Sequence, residues 1–392
     1  MIYKVFKDKQ ISQLGFGCMR LPTVTPDTDV IDEKEAARLI AYAYENGVNF
    51  FDTAYFYNSG DSQRVLGRAV SDFPRDSYYL ANKMPGNFMY RAGNKIRIAP
   101  FGTMREKFVS DAAEVFEDQL KECSAEYFDF YMLHNVCEQT YALYTDEELG
   151  IIDYLLEQKK AGRIRHLGFS SHAYPDTLER FLNWRGDCFE YALIQLNYLD
   201  WDLQEADKKY NMLTERGLSV FAMEPVRGGN LAKPSKKATE ILKTARPDDT
   251  PVSWAFRFLQ GLPNLVSVVS GMSTMEQIKE NIELFSKDDP ITETENAALK
   301  KAIENMSDFA PCTSCRYCAN SCPQSLDIPH LMYLYNELCF EKTWLALDGY
   351  NALSEDKKPS NCTACGLCKP FCPQNIDIPN ILSRFPQLLE KK

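Results

Sequence analysis

Near the C-terminus one cysteine pattern occurs twice. Cys312, Cys315, Cys318 and Cys322 are followed by Pro323, and Cys362, Cys365, Cys368 and Cys372 are followed by Pro373. Each run reads C-x2-C-x2-C-x3-C-P, the spacing that holds cubane iron–sulfur clusters. Three thiolates on a short loop can take three corners of a cluster. The fourth cysteine, one residue further along, serves the other cluster in this pattern. Structural zinc is the rival, because C-x2-C pairs also ligate zinc. Zinc takes only about four ligands per site, however, and the Cys-Pro ending has no role there. Disulfides fit less well in a chain without a secretory signal. The expectation is two [4Fe–4S] clusters.

The repeat extends beyond the ligands. Cys-Pro-Gln-Ser-Leu-Asp-Ile-Pro at 322–329 answers Cys-Pro-Gln-Asn-Ile-Asp-Ile-Pro at 372–379, an internal duplication. Between the copies Leu331, Leu334, Tyr335 and Leu338 recur at helical spacing, followed by Trp344, Leu345 and Leu347. A long helical insert argues against a compact, mostly β ferredoxin. The segment instead resembles the α-helical ferredoxin domains attached to larger oxidoreductases. That resemblance implies that Cys312, Cys315, Cys318 and Cys372 hold one cluster, and Cys362, Cys365, Cys368 and Cys322 the other.

The 392 residues suffice for two domains with a large core. A net charge of −11 argues against nucleic acid or an anionic membrane as the main partner. The start, Met1-Ile-Tyr-Lys-Val-Phe-Lys-Asp-Lys, alternates like a strand and lacks a signal-peptide core. No apolar run approaches the length that spans a bilayer. The five cysteines outside the runs (Cys18, Cys123, Cys137, Cys188 and Cys339) are scattered, so a reducing cytoplasm is expected.

Residues 1–286 read as alternating strands and helices. Three helix-to-strand joints share one design, a charged helix end, a glycine and an apolar run, at Gly47, Gly162 and Gly217. Eight strand candidates lie near residues 14–17, 48–52, 78–83, 128–133, 164–169, 191–196, 218–223 and 266–270. Ser273-x-x-Glu276 reads as a capping box before the last helix of this region. Eight βα units predict a (β/α)8 TIM barrel, with a hairpin at residues 2–13 plugging its N-terminal end. A doubly wound sheet is the competitor, but no G-x-G-x-x-G follows the first strand. Residues 287–310 are expected to form a helical linker, and 311–392 the two-cluster domain.

Chemistry in such a barrel sits at the C-terminal ends of its strands. Strand two runs into Asp52-Thr53-Ala54-Tyr55-Phe56-Tyr57, strand three ends at Lys83, and strand four at His134. Taken singly, Asp52 could cap a helix, Tyr57 could be a half-buried aromatic, Lys83 could pair structurally with Asp52, and His134 could be a core histidine. Their arrival on one rim from three successive strands outweighs those separate explanations. These residues resemble the aldo/keto reductase family, whose pattern is also met by Gly15-Phe16-Gly17, Gly168-Phe169-Ser170, Gln195, the Pro225 turn and Glu280-Asn281. The resemblance spans the whole barrel, and the C-terminal addition is similar to a subgroup carrying a ferredoxin-like domain.

The resemblance implies reduction of a small-molecule carbonyl, or oxidation of the alcohol, by hydride transfer with NADH or NADPH. Tyr57 would be the acid–base catalyst. Lys83, held by Asp52, would lower its pKa, and His134 would orient the carbonyl oxygen. Cofactor contacts carried over fall on Ser170, Gln195, Met223, Arg227, Gly228, Ser273, Gln277 and Asn281. Ser171 stands where many members place asparagine, and Met223 where many place a ring-stacking tyrosine. Gly271 and Gln277 stand where NADPH-specific members often use lysine and arginine, which leaves NADH, NADPH and a flavin open.

The segment after Lys83, with Arg91, Lys95, Arg97 and Arg105, reads as a long basic loop. It is a lid for an anionic substrate, a solvated surface loop or a dock for the acidic C-terminal domain. Cys18 and Cys137 read as small buried apolar residues. Two other functions remain in view. One is an electron-transfer enzyme whose clusters exchange single electrons with a ferredoxin or flavin partner protein. The other is a nucleotide-binding sensor, against which the intact tetrad speaks.

Overall fold

In the computed structural model, Gly47, Gly162 and Gly217 take φ of +92°, +77° and +71°, the left-handed region that a side chain disfavours. Each ends a helix and turns the chain straight into a strand, as the three joints predict. The structure describes residues 1–25, 28–93, 95–98, 107–109, 111–306, 309–310, 312, 318, 321–340, 344–372 and 376–390. These fall into two compact units. One comprises residues 1–200, 205–227 and 255–291, the other residues 201–204, 228–254 and 292–392. This division is more interleaved than the expected single cut at residue 286, because the excursion at 228–254 groups with the C-terminal residues.

The first unit begins with an antiparallel hairpin, β1 (Tyr3–Phe6) and β2 (Lys9–Ser12). Eight parallel strands follow: β3 (Leu14–Gly17), β4 (Phe50–Asp52), β5 (Tyr79–Met84), β9 (Phe128–Leu133), β10 (Ile164–Ser171), β11 (Tyr191–Gln195), β12 (Ser219–Met223) and β13 (Leu265–Gly271). β13 pairs with β3 and closes the barrel. All eight strand candidates are therefore strands, and the fold is the expected (β/α)8 barrel.

Successive strand residues point to opposite faces, so the barrel interior is built from alternate positions. Phe50, Ala81, Phe130, Met132, Tyr191, Leu193, Phe221 and Val269 share one buried cluster with Phe6 and Ile11 of the hairpin. Phe6 meets Phe130 at 5.3 Å and the His166 ring edge-on at 4.9 Å, so the hairpin plugs the barrel as expected. His166 Nδ1 in turn lies 2.7 Å from Glu190 Oε2, and Lys159 also pairs with Glu190.

Two local expectations change. The segment after Lys83 is a three-stranded antiparallel sheet: β6 (Met89–Ala92), β7 (Lys95–Ile98) and β8 (Lys107–Val109). Met89, Ile96 and Ile98 are buried while Lys95 is exposed, so apolar alternation with basic residues made a sheet from an apparent loop. Arg91 pairs with Asp146 and Glu148, which neutralise it; Arg105 lies outside the described residues. The capping box of helix Met275–Leu284 is Thr274 with Gln277, one residue later than Ser273 with Glu276. Thr274 has the extended backbone of a cap, and the Ser273 hydroxyl instead donates to the Arg20 carbonyl at 2.7 Å.

In the second unit, helix Lys236–Ala245 and helix Glu293–Ile303, the latter within the expected linker, are tied at both ends. Ser235 Oγ donates to Asn305 O at 2.6 Å, and Arg246 meets Glu295 at 3.1 Å. The sequence repeat becomes a repeated helix start. Asp327-Ile328-Pro329 opens helix Ile328–Phe340, and Asp377-Ile378-Pro379 opens helix Ile378–Ser383, an aspartate before the helix and proline in its first turn each time; Asp327 Oδ1 accepts the His330 N–H at 3.4 Å, whereas the Asp377 side chain makes no cap bond. Leu331, Leu334, Tyr335 and Leu338 are buried in the core of this unit with Leu326, Ile376, Ile378 and Leu382. No helix among the described residues is long and apolar enough to cross a membrane.

Burial works to raise the Glu190 pKa, but hydrogen bonds from His166 and Lys159 outweigh it and bring it to about 2. A carboxyl lowered on folding adds stability that is complete above its unfolded pKa near 4.3 and is lost as pH falls toward 2. Glu190→Gln should therefore cost about 1–2 kcal/mol at neutral pH, with the deficit shrinking below about pH 4 and gone only below about pH 2. Urea titrations at several pH values measure this directly.

Candidate functional site

Each strand that carries a core residue inward presents its next inward position at the barrel mouth. Phe50 is followed by Asp52, Ala81 by Lys83, and Met132 by His134. The same two-residue step leads from Leu193 to Gln195, from Phe221 to Met223 and from Val269 to Gly271. Alternation thus brings residues distant in sequence onto one inward-facing ring.

Asp52 and Lys83 are buried at 2% and 1% exposure. Lys83 Nζ lies 2.6 Å from Asp52 Oδ2 and donates to the Thr53 carbonyl at 2.6 Å. It stands 4.7 Å from the centroid of the Tyr57 ring. The His134 ring meets Tyr57 edge-on at 5.9 Å and stacks on Phe56 at 4.9 Å. Tyr57 is aimed by the turn after β4, where Asn58 and Ser59 are left-handed at φ 49° and 54°. All four expected catalytic residues are brought together.

Burial pushes the Asp52 carboxyl up and the Lys83 amine down, and their mutual attraction opposes both shifts. Burial, then the Lys83 charge, holds the His134 imidazole well below its ordinary pKa, so it is neutral near pH 7. Tyr57 departs from expectation. Burial pushes its phenol well above the usual value, and the Asp52 and Glu224 carboxylates push the same way. Lys83 does not prevail over these because Asp52 already balances its charge. Tyr57 and His134 present part of each ring to the open mouth, but their titrating groups are enclosed by protein. Cys18, buried beside this group, and Cys137 have thiols raised by burial and are inert, as expected.

The expected cofactor residues divide. Ser170 is buried, and its hydroxyl accepts the Asn135 N–H at 2.8 Å. Gln195 Nε2 donates to Asp200 Oδ2 at 2.7 Å, while its Oε1 faces His172 Nδ1 at 3.1 Å. Arg227, 4% exposed with φ 48°, pairs with fully buried Asp200 at 3.2 Å. Asn281 Nδ2 donates to Ser270 Oγ at 3.3 Å. Gln277 accepts from the Ser273 and Thr274 amides, so its side chain serves the helix cap. Met223 is half-buried, and Gly228 belongs to the second unit.

Sequence reading missed Asn135, His172, Asn197 and Asp200. Asn135 is left-handed at φ 56° and buried; its Nδ2 donates to Asn87 and its Oδ1 accepts the His172 amide. Asn197 donates to Asp200 at 2.6 Å and to the Glu224 carbonyl at 3.0 Å. Adjacency to His134, Ser171 and Gln195 was the available signal, since polar residues just beyond strand ends populate such a rim.

In the second unit, Cys322, Cys362, Cys365 and Cys368 line one small pocket together with apolar Leu326, Ile328, Ile378 and Leu382. The fourth cysteine of the first run therefore sits with the first three of the second. Four thiols around an otherwise apolar cavity fit a cubane cluster. Of the other set, Cys318 is buried and Cys312 and Cys372 are half-buried, while Cys315 lies outside the described residues. Asn336 holds the approach to Cys312: it donates to Ala310 O at 2.8 Å and accepts the Ala310 N–H at 2.7 Å.

The electrostatics give a spectroscopic expectation. The His134 ring resonances should stay constant between about pH 6 and 8, because its lowered pKa leaves the neutral form in place. The His172 pKa is lowered to about 4, chiefly by burial, so that ring should change charge only near pH 4. Histidine-selective NMR, with each peak assigned by mutation, checks both; a His134 inflection near pH 6.5 would contradict this electrostatic picture.

Residues 13–304 match the model of the aldo/keto reductase family, and residues 308–376 match that of the 4Fe-4S dicluster domain. The uncharacterized oxidoreductase YqkF of Bacillus subtilis is 27% identical over 297 residues, covering 70% of this chain and 88% of that protein. The NADH-specific methylglyoxal reductase of Escherichia coli is 22% identical over 302 residues, covering 70% of this chain and 90% of that protein. Among solved structures, aldo-keto reductase AKR11C1 from Bacillus halodurans superposes with a TM-score of 0.60 at 24% identity, covering 77% of this chain and 96% of that one. That likeness concerns the fold. With a family match over three-quarters of its length and a tetrad gathered at the barrel mouth, the chain belongs to the aldo/keto reductase family of oxidoreductases and carries a 4Fe-4S dicluster domain at its C-terminus.

Proposed function

We propose that the protein reduces a small carbonyl compound, or oxidises the corresponding alcohol, with NADH or NADPH bound at the barrel mouth. The observation that carries this reading is the buried Lys83–Asp52 pair with Lys83 Nζ 4.7 Å from the centre of the Tyr57 ring, and His134 edge-on to that ring at 5.9 Å. When bound, the nicotinamide supplies the hydride. The hydroxyls and amides of Ser170, Gln195 and Asn281 suit its neutral carboxamide end, and half-buried Met223 offers an apolar face to the ring. Gln277 is engaged in a cap, which leaves the choice between NADH and NADPH to other residues.

Hydride arriving at a carbonyl carbon leaves negative charge on oxygen, which must be protonated. Neutral His134 orients that oxygen through a hydrogen bond. Tyr57 donates the proton from its Oη. A phenol with a raised pKa keeps that proton across the physiological range, ready for the developing alkoxide. Lys83 stabilises the phenolate left behind, and Asp52 holds Lys83 charged and aimed. Asp52 repels the same phenolate, so the net help from Lys83 is smaller than a lone ammonium would give.

We assign two [4Fe–4S] clusters to the C-terminal unit, one on Cys312, Cys315, Cys318 and Cys372 and one on Cys322, Cys362, Cys365 and Cys368. The cavity shared by the latter four supports this assignment. A reducing compartment, the cytoplasm, suits such ligands. A second reading follows from Cys365, which is exposed and flanked by exposed Leu367 and Phe371. A cluster reaching the surface there could exchange single electrons with a redox partner protein. Hydride carries two electrons and a cluster passes one, so the barrel chemistry does not itself require this route.

Tyr57→Phe keeps the ring and removes only the proton, so turnover of a simple aldehyde should fall by roughly 10²–10⁴ with nucleotide affinity retained. Unchanged turnover would remove the tetrad from the mechanism. Anaerobically purified protein should carry roughly eight irons per chain. Stoichiometric zinc with no iron would end the cluster assignment. Cys365→Ser should destroy one cluster and spare aldehyde reduction. Loss of that activity in a folded variant would favour the electron-transfer reading.

A further inference from the structure

We propose that Tyr144 is a positioning residue for the reaction assigned above, on which this inference rests: its hydroxyl sets the spacing of Lys83 and His134. Tyr144 ends a short helix, Tyr141–Tyr144, in the connection from β9 to β10, and is buried at 1% exposure. β5 and β9 run in register through Met84 opposite Leu133, and the His134 amide donates to the Met84 carbonyl at 2.9 Å. Beyond that rung the chains diverge. One enters Pro85-Gly86, and the other enters left-handed Asn135.

The Tyr144 hydroxyl fills the fork. It accepts the Gly86 N–H at 2.9 Å and faces two carbonyls, Met84 O at 2.9 Å and His134 O at 2.8 Å. It can donate only one proton, and Met84 O already receives the His134 amide, so the two carbonyls share it unequally or in alternation. With its proton on His134 O, the carbonyl that the His134–Met84 rung leaves open, and the Gly86 N–H accepted, this one side chain bonds both chains and supplies the last rung between the strands that carry Lys83 and His134. Both residues stand against the Tyr57 ring, so a change in strand spacing alters the group without a contact to any of its side chains. Gly86 belongs to the same device, because a Cβ there would come within 2.1 Å of the Tyr144 hydroxyl oxygen.

The test is Tyr144→Phe in the full-length protein with its clusters intact, compared with Tyr210→Phe. Tyr210 also receives a backbone N–H on its hydroxyl, from Asn264 at 2.8 Å, but before β13 and away from the mouth. For Tyr144→Phe, kcat should fall about 10- to 100-fold at unchanged nucleotide affinity, as for a small misplacement of reacting groups. Tyr210→Phe should lower the melting temperature and keep kcat within about twofold. The His134 ring resonance should move in Tyr144→Phe while that of His166, at the barrel's other end, stays.

An unchanged kcat with an unmoved His134 resonance in folded Tyr144→Phe overturns the proposal, and so does an equal loss of kcat in Tyr210→Phe. If the wild-type protein turns over no carbonyl compound, the proposed function fails, and the His134 resonance alone decides on Tyr144. Should Tyr144→Phe not fold, Gly86→Ala displaces the same hydroxyl and is judged by the same outcomes.

Discussion

The ion pair between Lys83 and Asp52 is the constraint around which the barrel mouth is arranged. Two opposite charges with almost no exposure meet at 2.6 Å at the open end of a hydrophobic barrel. Removing them from water costs several kcal/mol per ion, and a well-packed apolar pair would serve stability at least as well. Buried charge at such a place is therefore better explained by chemistry than by folding. The pair forms because β4 and β5 lie side by side with Asp52 opposite Ala81, which puts Lys83 one inward step further along. Every strand contributes to holding that register, down to the aromatic plug of Phe6, Phe130 and Tyr191 at the far end.

Backbone strain gathers at the same rim. Among the described residues ten non-glycine positions have positive φ, and five of them, Asn58, Ser59, Asn135, Glu224 and Arg227, follow the C-terminal ends of β4, β9 and β12. Such conformations cost on the order of 1–3 kcal/mol each and persist only where surrounding contacts enforce them. Here the contacts are identifiable. Asn135 is held by Ser170, Asn87 and His172, and Glu224 by the Asn197 amide on its carbonyl. The buried Asp200–Arg227 pair braces the Gln195 side of the same mouth. Polar side chains on separate strands are thereby fixed before any ligand arrives, which is the condition for electrostatic catalysis.

The second unit follows a different logic. Its helices are short, and its core is shared between cysteines and apolar side chains: Cys318 and Cys368 lie among Leu326, Ile328, Leu334 and Ile378. The duplicated cysteine run with its Asp-Ile-Pro helix start brings the fourth cysteine of the first copy to the pocket of the second. Cys322 beside Cys362, Cys365 and Cys368 is the visible result. Crossing ligands in this way would join the two halves of the unit through the clusters as well as through their apolar contacts.

Much of this was legible in the amino-acid order because it is set by short-range rules. Glycine at a left-handed helix end, two-residue alternation along a strand and fixed spacing of cysteines are all local, and they located the eight strands, the hairpin plug, the tetrad and the ligand runs. What tertiary structure alone decided depends on groups far apart in the chain. The segment after Lys83 became a sheet because Met89, Ile96 and Ile98 found a surface to bury against. The Tyr57 phenol moved up rather than down because the closed barrel buries it, and because Asp52 at the end of its own strand and Glu224 beyond β12 both face it. Asp200, fully buried and bonded to Gln195, Asn197 and Arg227, is marked in the sequence only by its nearness to Gln195, since its role exists only where strands β11 and β12 end side by side. Local geometry is written in neighbouring residues; electrostatics and hydrogen-bond partnership at the mouth are properties of the closed barrel.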